Sequence, residues 1–408
     1  MSSESIAATE ADGSAILAPS TPARTGTGKP KRRYIDCLRG YAVFMVMVSH
    51  TVYAYSELPY PVHRLGTFGW FGVQLFFLAS CLTLMGSSTY ERDHVGKMQV
   101  GHFFIRRFLR IAPMYYAAGL FYLFAKSTED ASLAQSLSTL LFVNAWHPTL
   151  MAPGGWQLVE GGWSIGVEFT FYFLFPLFFA TITNMRRALA LLAATILIGA
   201  SLNSLLIGPL TEQFGFTVAD NFLFFWFFNQ APVFALGAVV FFIIRHLEAR
   251  PDLARKVRAW APAIMGASLF LLLVLSSAPI PFSHQLLLEP VLPQFLMASF
   301  VFSIAIIAMS QMPERVVVNR AVAGLGLVSF SAYLLHFAVI EWVLVKNPGI
   351  FHTNATGYHV IAACGVGILV VAGVTYLLSR FTYAVIELPA IQWAGRLTRN
   401  RAPERASA

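Results

Sequence analysis

Charge is what this sequence has least of. Only 12% of its 408 residues are Asp, Glu, Lys or Arg, about half of the roughly 25% usual in soluble globular proteins. Hydrophobic residues make up 57%. The 28 Lys and Arg with 20 Asp and Glu are broken up by long apolar stretches and cannot cover the surface of a soluble fold of this size. That excludes the two or three soluble domains that length alone suggests. Cysteine is nearly as scarce. Cys37, Cys81 and Cys364 are odd in number and lie in or beside apolar segments, which excludes a disulfide framework. The chain has no Cys/His cluster at metal-ligand spacing, no phosphate-cradling glycine-rich loop and no Gly-x-Ser-x-Gly elbow, so no metal is expected. It also lacks an internal repeat, a heptad stretch and a loop long enough to be a separate soluble domain.

What is present is a series of apolar runs, each near the roughly 20 residues that span a hydrocarbon core as a helix. Ten are found, at about 36–56, 68–88, 104–125, 163–183, 188–208, 221–244, 260–277, 290–310, 322–346 and 359–380. The expected fold is all-α, a polytopic transmembrane helix bundle of about ten spans. Residues 1–33 are rich in Ala, Ser, Thr, Pro and Gly without apolar periodicity and read as a disordered tail. Its basic end, Lys29, Lys31, Arg32 and Arg33, runs straight into the first span with no small-residue cleavage site behind it, as in an uncleaved anchor. Residues 34–390 form the membrane domain and 391–408 a short basic tail. Segment 126–162, with Trp146, His147 and the Gly154–Gly155–Trp156 turn, is a candidate lid over the outer mouth.

The net charge of +8 raises the question of nucleic acid, and the placement of the charges answers it. An even number of spans puts both termini on one side. Arg92, Lys97, Arg106, Arg107, Arg110, Arg186, Arg187, Arg245, Arg250, Arg255, Lys256, Arg258, Arg315 and Arg320 fall with the termini, and only Arg64, Lys126 and Lys346 fall opposite. This is the asymmetry of a cytoplasmic face. Both termini are therefore expected in the cytoplasm, the location in the bacterial inner (plasma) membrane, and nucleic acid is not an expected partner; membrane lipids are.

An ionisable side chain costs roughly 2.5–3.5 kcal/mol at a span centre on insertion scales, so each one inside a span is a functional-site candidate. Arg39 and His50 stand 11 residues apart on the first span. At 100° per residue they project within about 20° of one another, roughly 16 Å apart along the axis. One face of this helix therefore lines something polar. Arg39 also suits a snorkelling anchor or a partner for Asp36, and His50 a hydrogen-bonded packing role, although His is the side chain best fitted to take a proton near neutral pH. Ser164, Glu168 and Tyr172 follow at four-residue intervals as a polar stripe on the fourth span, with Glu168 in its outer third. His336 lies near mid-depth of the ninth span, with Glu341 beyond it, and Gln74, Asn203, Asn229 and Gln230 fall at comparable depths on other spans. Polar groups at matching depths on several helices fit a buried cavity. Arg106, Arg107 and Arg110 open the third span ahead of Pro113. Arg107 and Arg110 share a helix face and suit either bidentate capture of phosphate or headgroup anchoring. Together these parts suggest group transfer from a phosphate-bearing cytosolic donor to an acceptor reached within or across the bilayer. Intramembrane His and Glu would also serve a proton-coupled transporter or glycan flippase, but no pair of interrupted helices in corresponding halves marks a repeat.

Six strings, in order over roughly residues 34–390, carry a family resemblance. They are Tyr34–Ala42 with Leu38-Arg39-Gly40 followed by His50, then Phe76-Phe77-Leu78-Ala79-Ser80, and Arg107-Phe108-Leu109-Arg110. Trp163-Ser164-Ile165-Gly166-Val167-Glu168, Tyr333-Leu334-Leu335-His336 and Glu387-Leu388-Pro389 complete the set. In these the chain resembles the acyltransferase-3 family of integral membrane O-acyltransferases, in its stand-alone form without an appended esterase-like domain. The resemblance implies acyl-CoA as donor substrate, with no bound cofactor, and a hydroxyl acceptor such as a cell-surface glycan or lipid-linked saccharide. It implies His50 as the base and Arg39, Arg107 and Arg110 as groups serving the donor. Glu168 joins His50 as a catalytic candidate, and Ser164, Tyr172, His336 and Gln74 are candidate acceptor or cavity-lining residues. Two departures stand out. Cys81 takes a position where Gly is common, and Phe169-Thr170 replaces a common Glu-Gln, leaving Glu168 without a second acid.

Overall fold

A computed structural model describes residues 32–125, 132–151, 158–277, 286 and 292–398. The expected N-terminal tail, apart from its last residues, and positions 399–408 lie outside the described residues, as does the Gly154–Gly155–Trp156 turn. Among the described residues there is no strand, and the fold is an all-α polytopic bundle. In chain order the helices are α1 (Arg33–Val52), α2 (Tyr60–Thr67), α3 (Gly72–Val95), α4 (Val100–Ala125), α5 (Leu133–Leu140), α6 (Gly162–Thr181), α7 (Met185–Phe214) and α8 (Phe216–Phe225). They continue with α9 (Phe227–Glu248), α10 (Pro251–Ser277), α11 (Gln294–Gln311), α12 (Glu314–Val317), α13 (Arg320–Leu327), α14 (Ser329–Ile340), α15 (Gly357–Thr382) and α16 (Leu388–Leu397).

Among the described residues nine helices are long and apolar enough to cross a membrane, and ten spans result if one bent pair counts as a single crossing. The bent pair is the stretch 322–346 that hydropathy reads as one helix. α13 and the helix from Ser329 to Val345 meet at 85°. Asn319 caps α13 by accepting from the amides of Ala321 and Val322, and Gly324 and Gly326 weaken continuation of the helix. Several spans contain proline, including Pro113 in α4 and Pro232 in α9. Neighbouring helices make such interruptions tolerable in a membrane.

The first helix is the centre of the arrangement, packing on α3, α13, α14 and α15. Close approach is possible because of small residues, as in membrane helix pairs generally. A Cβ on Gly326 would stand 1.8 Å from the Asp36 carbonyl oxygen, and one on Gly40 2.1 Å from that of Val322. α1 and α13 therefore meet backbone to backbone, which fixes the bend and aims α14 along the C-terminal half of α1. Gly326→Ala is expected to destabilise the protein by about 1–3 kcal/mol, the usual cost of overpacking, and a lower thermal midpoint of the purified protein checks it.

At the other end of the chain, residues 391–397 of the expected tail belong to α16, which packs on α4. A π-helical turn, Tyr383–Glu387, joins it to α15 and buries Glu387 against Ser331, whose hydroxyl donates to the carboxylate.

Candidate active site

Two cavities lie end to end beside α1. The first holds about 70 Å³ of space open to water and is lined by Arg39, Arg107 and Arg110 together with Ser80, Ser164, Glu168 and Tyr172. The four-residue stripe of α6 thus faces one cavity with all three of its members, as helical periodicity requires. Glu168 Oε1 accepts from Ser80 Oγ at 2.6 Å and from the Tyr172 hydroxyl. Arg39 Nη2 donates to Thr83 Oγ1 at 3.2 Å, and that hydroxyl donates to the Ala79 carbonyl at 2.7 Å.

The three basic residues that open α4 part company here. Arg106 Nη2 pairs with the buried Glu91, 3.1 Å from Oε2 and 3.2 Å from Oε1, and is absent from the cavity wall. Among the described residues Arg39, Arg107 and Arg110 make no ion pair, and Arg107 Nε is buried without a hydrogen-bond partner. Three guanidinium groups and one carboxylate surround a small space, and guanidinium forks match the geometry of phosphate and carboxylate.

The second cavity, about 230 Å³, is lined by His50, Gln74, Tyr53, Trp70, Trp163, Phe337 and Glu160 among others. The face of α1 that carries Arg39 and His50 therefore opens into one cavity at each end. Tyr333 and Val73 line both and form the partition. The Tyr333 hydroxyl donates to the Gly161 carbonyl at 3.1 Å and accepts from Ser164 Oγ at 2.8 Å. Gly161 has φ +72°, and a Cβ there would stand 2.9 Å from the Tyr333 oxygen, so only glycine fits. Of the candidate lid, Met151, Glu160 and Gly161 reach this second cavity.

His50 Nδ1 lies 2.9 Å from His336 Nε2, and His336 Nδ1 lies 3.2 Å from the Ala332 carbonyl oxygen. A carbonyl only accepts, so it fixes the chain of protons between two neutral imidazoles. His336 carries its proton on Nδ1, its Nε2 accepts from His50 Nδ1–H, and the lone pair of His50 is left on Nε2. The Phe337 ring packs against both imidazoles, with centroids at 4.5 and 4.0 Å. His336 is fully buried, whereas His50 is partly exposed toward the cavity.

The other intramembrane amides divide in the same way between site and scaffold. Asn203 Nδ2 donates to Asn229 Oδ1 at 2.8 Å, and Trp226 Nε1 donates to Asn203 Oδ1 at 3.1 Å, a network that closes the break between α8 and α9. Of the four amides, Gln74 alone lines either of these two cavities. Glu341 lines neither. Phe169 stacks on Phe142 with centroids 3.7 Å apart, and Thr170 accepts from Trp146 Nε1 at 2.8 Å, so the position of the missing second acid is taken up by packing. Sequence reasoning passed over Tyr333, Thr83 and Glu91, and named Gln230 by its depth without its partner. Tyr333 sits inside a recognised string, but a tyrosine carries no charge to mark it. The partners Gln230, Thr83 and Glu91 are set by contacts across 156, 44 and 15 residues of chain.

The acyltransferase-3 profile, described as an acyltransferase domain, matches residues 32–379, and the chain belongs to that family. Proteins of Staphylococcus aureus strains COL, MSSA476 and MRSA252, each bearing the name "Putative O-acetyltransferase", are 23% identical over 332 residues. The matches cover 77% of this chain and 52% of each relative, so the chain spans about half the length of the curated relatives it matches. No solved structure matches it.

Proposed function

We propose that this chain is a membrane-embedded O-acyltransferase that moves an acyl group from cytosolic acyl-CoA to a hydroxyl of a cell-surface glycan or related acceptor. The observation that carries the reading is the succession of a cavity lined by arginines without ion pairs, a thin partition, and a second cavity lined by a histidine that hydrogen bonding leaves with Nε2 free. The phosphates of CoA bind at Arg107 and Arg110 with Arg39 deeper in, on the side where the basic loops mark the cytoplasm. The acyl-pantetheine arm passes the Tyr333–Val73 partition to His50. There the acceptor oxygen attacks the thioester carbonyl as His50 Nε2 takes the hydroxyl proton. The new C–O bond replaces the C–S bond, and the proton passes on to the departing thiolate, so the enzyme carries no covalent intermediate. Glu168 lies with the arginines and lines the first cavity only, which favours a role in ordering Ser80 and Tyr172 over proton transfer at His50.

The direct test is acyl transfer by purified protein in nanodiscs, alongside mass spectrometry of envelope glycans from cells with and without the gene. Loss of one defined acyl mass from those glycans supports the proposal, and unchanged glycan and lipid esters would sink it. The charge assignment makes a narrower prediction. Arg106→Ala is expected to leave acyl-CoA affinity unchanged because Arg106 is occupied by Glu91, whereas the same change at Arg107 weakens it; titration calorimetry with acetyl-CoA distinguishes the two.

A further inference from the structure

The second cavity contains another side chain whose polarity is set by a backbone carbonyl. Gln230 Nε2 donates to the Phe224 carbonyl at 2.8 Å, which leaves Gln230 Oε1 to receive Gln74 Nε2 at 3.0 Å. Turning the Gln74 amide over would set oxygen against oxygen, so its orientation is fixed. Gln74 Oε1 is left buried with no hydrogen-bond partner, on a residue 1% exposed that lines the same cavity as His50. A buried acceptor without a donor costs about 1–3 kcal/mol, and native proteins seldom leave one without a use. Two carbonyls, those of Ala332 and Phe224, thus each end a side-chain chain that leaves a free acceptor atom on a residue lining one cavity.

We infer that Gln74 is a second acceptor-binding residue, its Oε1 receiving a hydroxyl of the acceptor other than the one that meets His50. The walls suit such a molecule. Trp70 stacks with Tyr53 at 5.8 Å, Trp163 packs on Phe225 at 4.5 Å, and these aromatic side chains line the cavity beside Phe337. Aromatic faces take the apolar side of a hydroxylated ring while its edge supplies the donors. A mono-alcohol fills the cavity but leaves Gln74 Oε1 unpaired. This inference rests on the acyl-acceptor reading of the cavity, and a binding experiment separates the two because it needs no acyl transfer.

The probes are methyl β-glucopyranoside and cyclohexylmethanol, similar in ring size and differing in hydroxyl number, titrated against the full chain in nanodiscs with the thermal midpoint as readout. The wild type is expected to be stabilised saturably by the glucoside at concentrations at which cyclohexylmethanol has little effect. Gln74→Met, which keeps the volume and removes the acceptor, is expected to weaken glucoside binding about tenfold, the loss of one well-made hydrogen bond, while leaving the alkanol response as it was. Equal response of the wild type to both probes overturns the inference without any variant, as does a folded Gln74→Met protein that binds the glucoside like wild type. His50→Ala should keep the Gln74-dependent preference even where acyl transfer is lost, so failure of the catalytic reading and failure of this one give different results.

Discussion

His50→Ala is expected to reduce acyl transfer by about 10²–10⁴-fold, the range a positioned general base supplies, with acetyl-CoA affinity retained. The expectation follows from the proton arrangement. The only lone pair that the His50–His336 pair leaves unused is His50 Nε2, and His50 is the member that lines the cavity. On this proposal His336 acts through His50 as a positioning residue. His336→Ala releases Nδ1 of His50 and lets the ring adopt either tautomer, so the loss is expected to be smaller, about tenfold, the scale of one hydrogen bond. The pH profile should change shape as well, which a purely structural defect would not produce. Groups that act as a unit are not additive, so the double variant is expected to be no slower than His50→Ala alone. A His50→Ala protein that expresses well and transfers at the wild-type rate would end the proposal, and a double variant far slower than the single would break the link between the two rings.

The second large effect is expected at the arginines. Replacing Arg107 and Arg110 together by Ala should lower acetyl-CoA affinity by about 100-fold, since each hydrogen bond to a charged group is worth about 1.5–3 kcal/mol. The weakening of the wild-type complex with rising salt should be shallower in the variant, because exposed charge interactions are those that salt screens. Neither guanidinium is committed to a carboxylate within the described residues, so their removal breaks no ion pair of the scaffold and the thermal midpoint should hold. Unchanged affinity in a folded variant would return these residues to anchoring the headgroup region.

Much of this site could be read along the chain because helices impose their period. The 11-residue interval from Arg39 to His50 and the four-residue steps through Ser164, Glu168 and Tyr172 each place a set of side chains on one face, whatever the helix packs against. The cost of polar groups in a membrane marked His336 and Gln74 in the same way. Depth along a span proved a weaker guide to partnership. Glu168, read from depth as lying in the outer third of its span, shares its cavity with the arginines, because α3 and α4 bring Ser80 and Arg107 against its face of α6. Likewise Asn203, Asn229 and Gln74 share a depth on the hydropathy trace, yet two brace a helix break and one lines a cavity.

The sequence by itself determined the membrane class, the number of apolar crossings to within the treatment of one bent pair, and the residues on which chemistry could rest. Composition and helical period are local properties, and both survive in any packing. The tertiary structure decided which of those residues meet. It separated Arg106 from Arg107, joined His336 to His50 across 286 residues, set Tyr333 between two cavities and placed His50 and Gln74 in the lining of one of them. The physical reason is that proton and amide orientation in this protein is fixed by backbone carbonyls at particular places. Which imidazole and which amide those oriented side chains meet is settled only when α1 packs on α14 and α3 on α9.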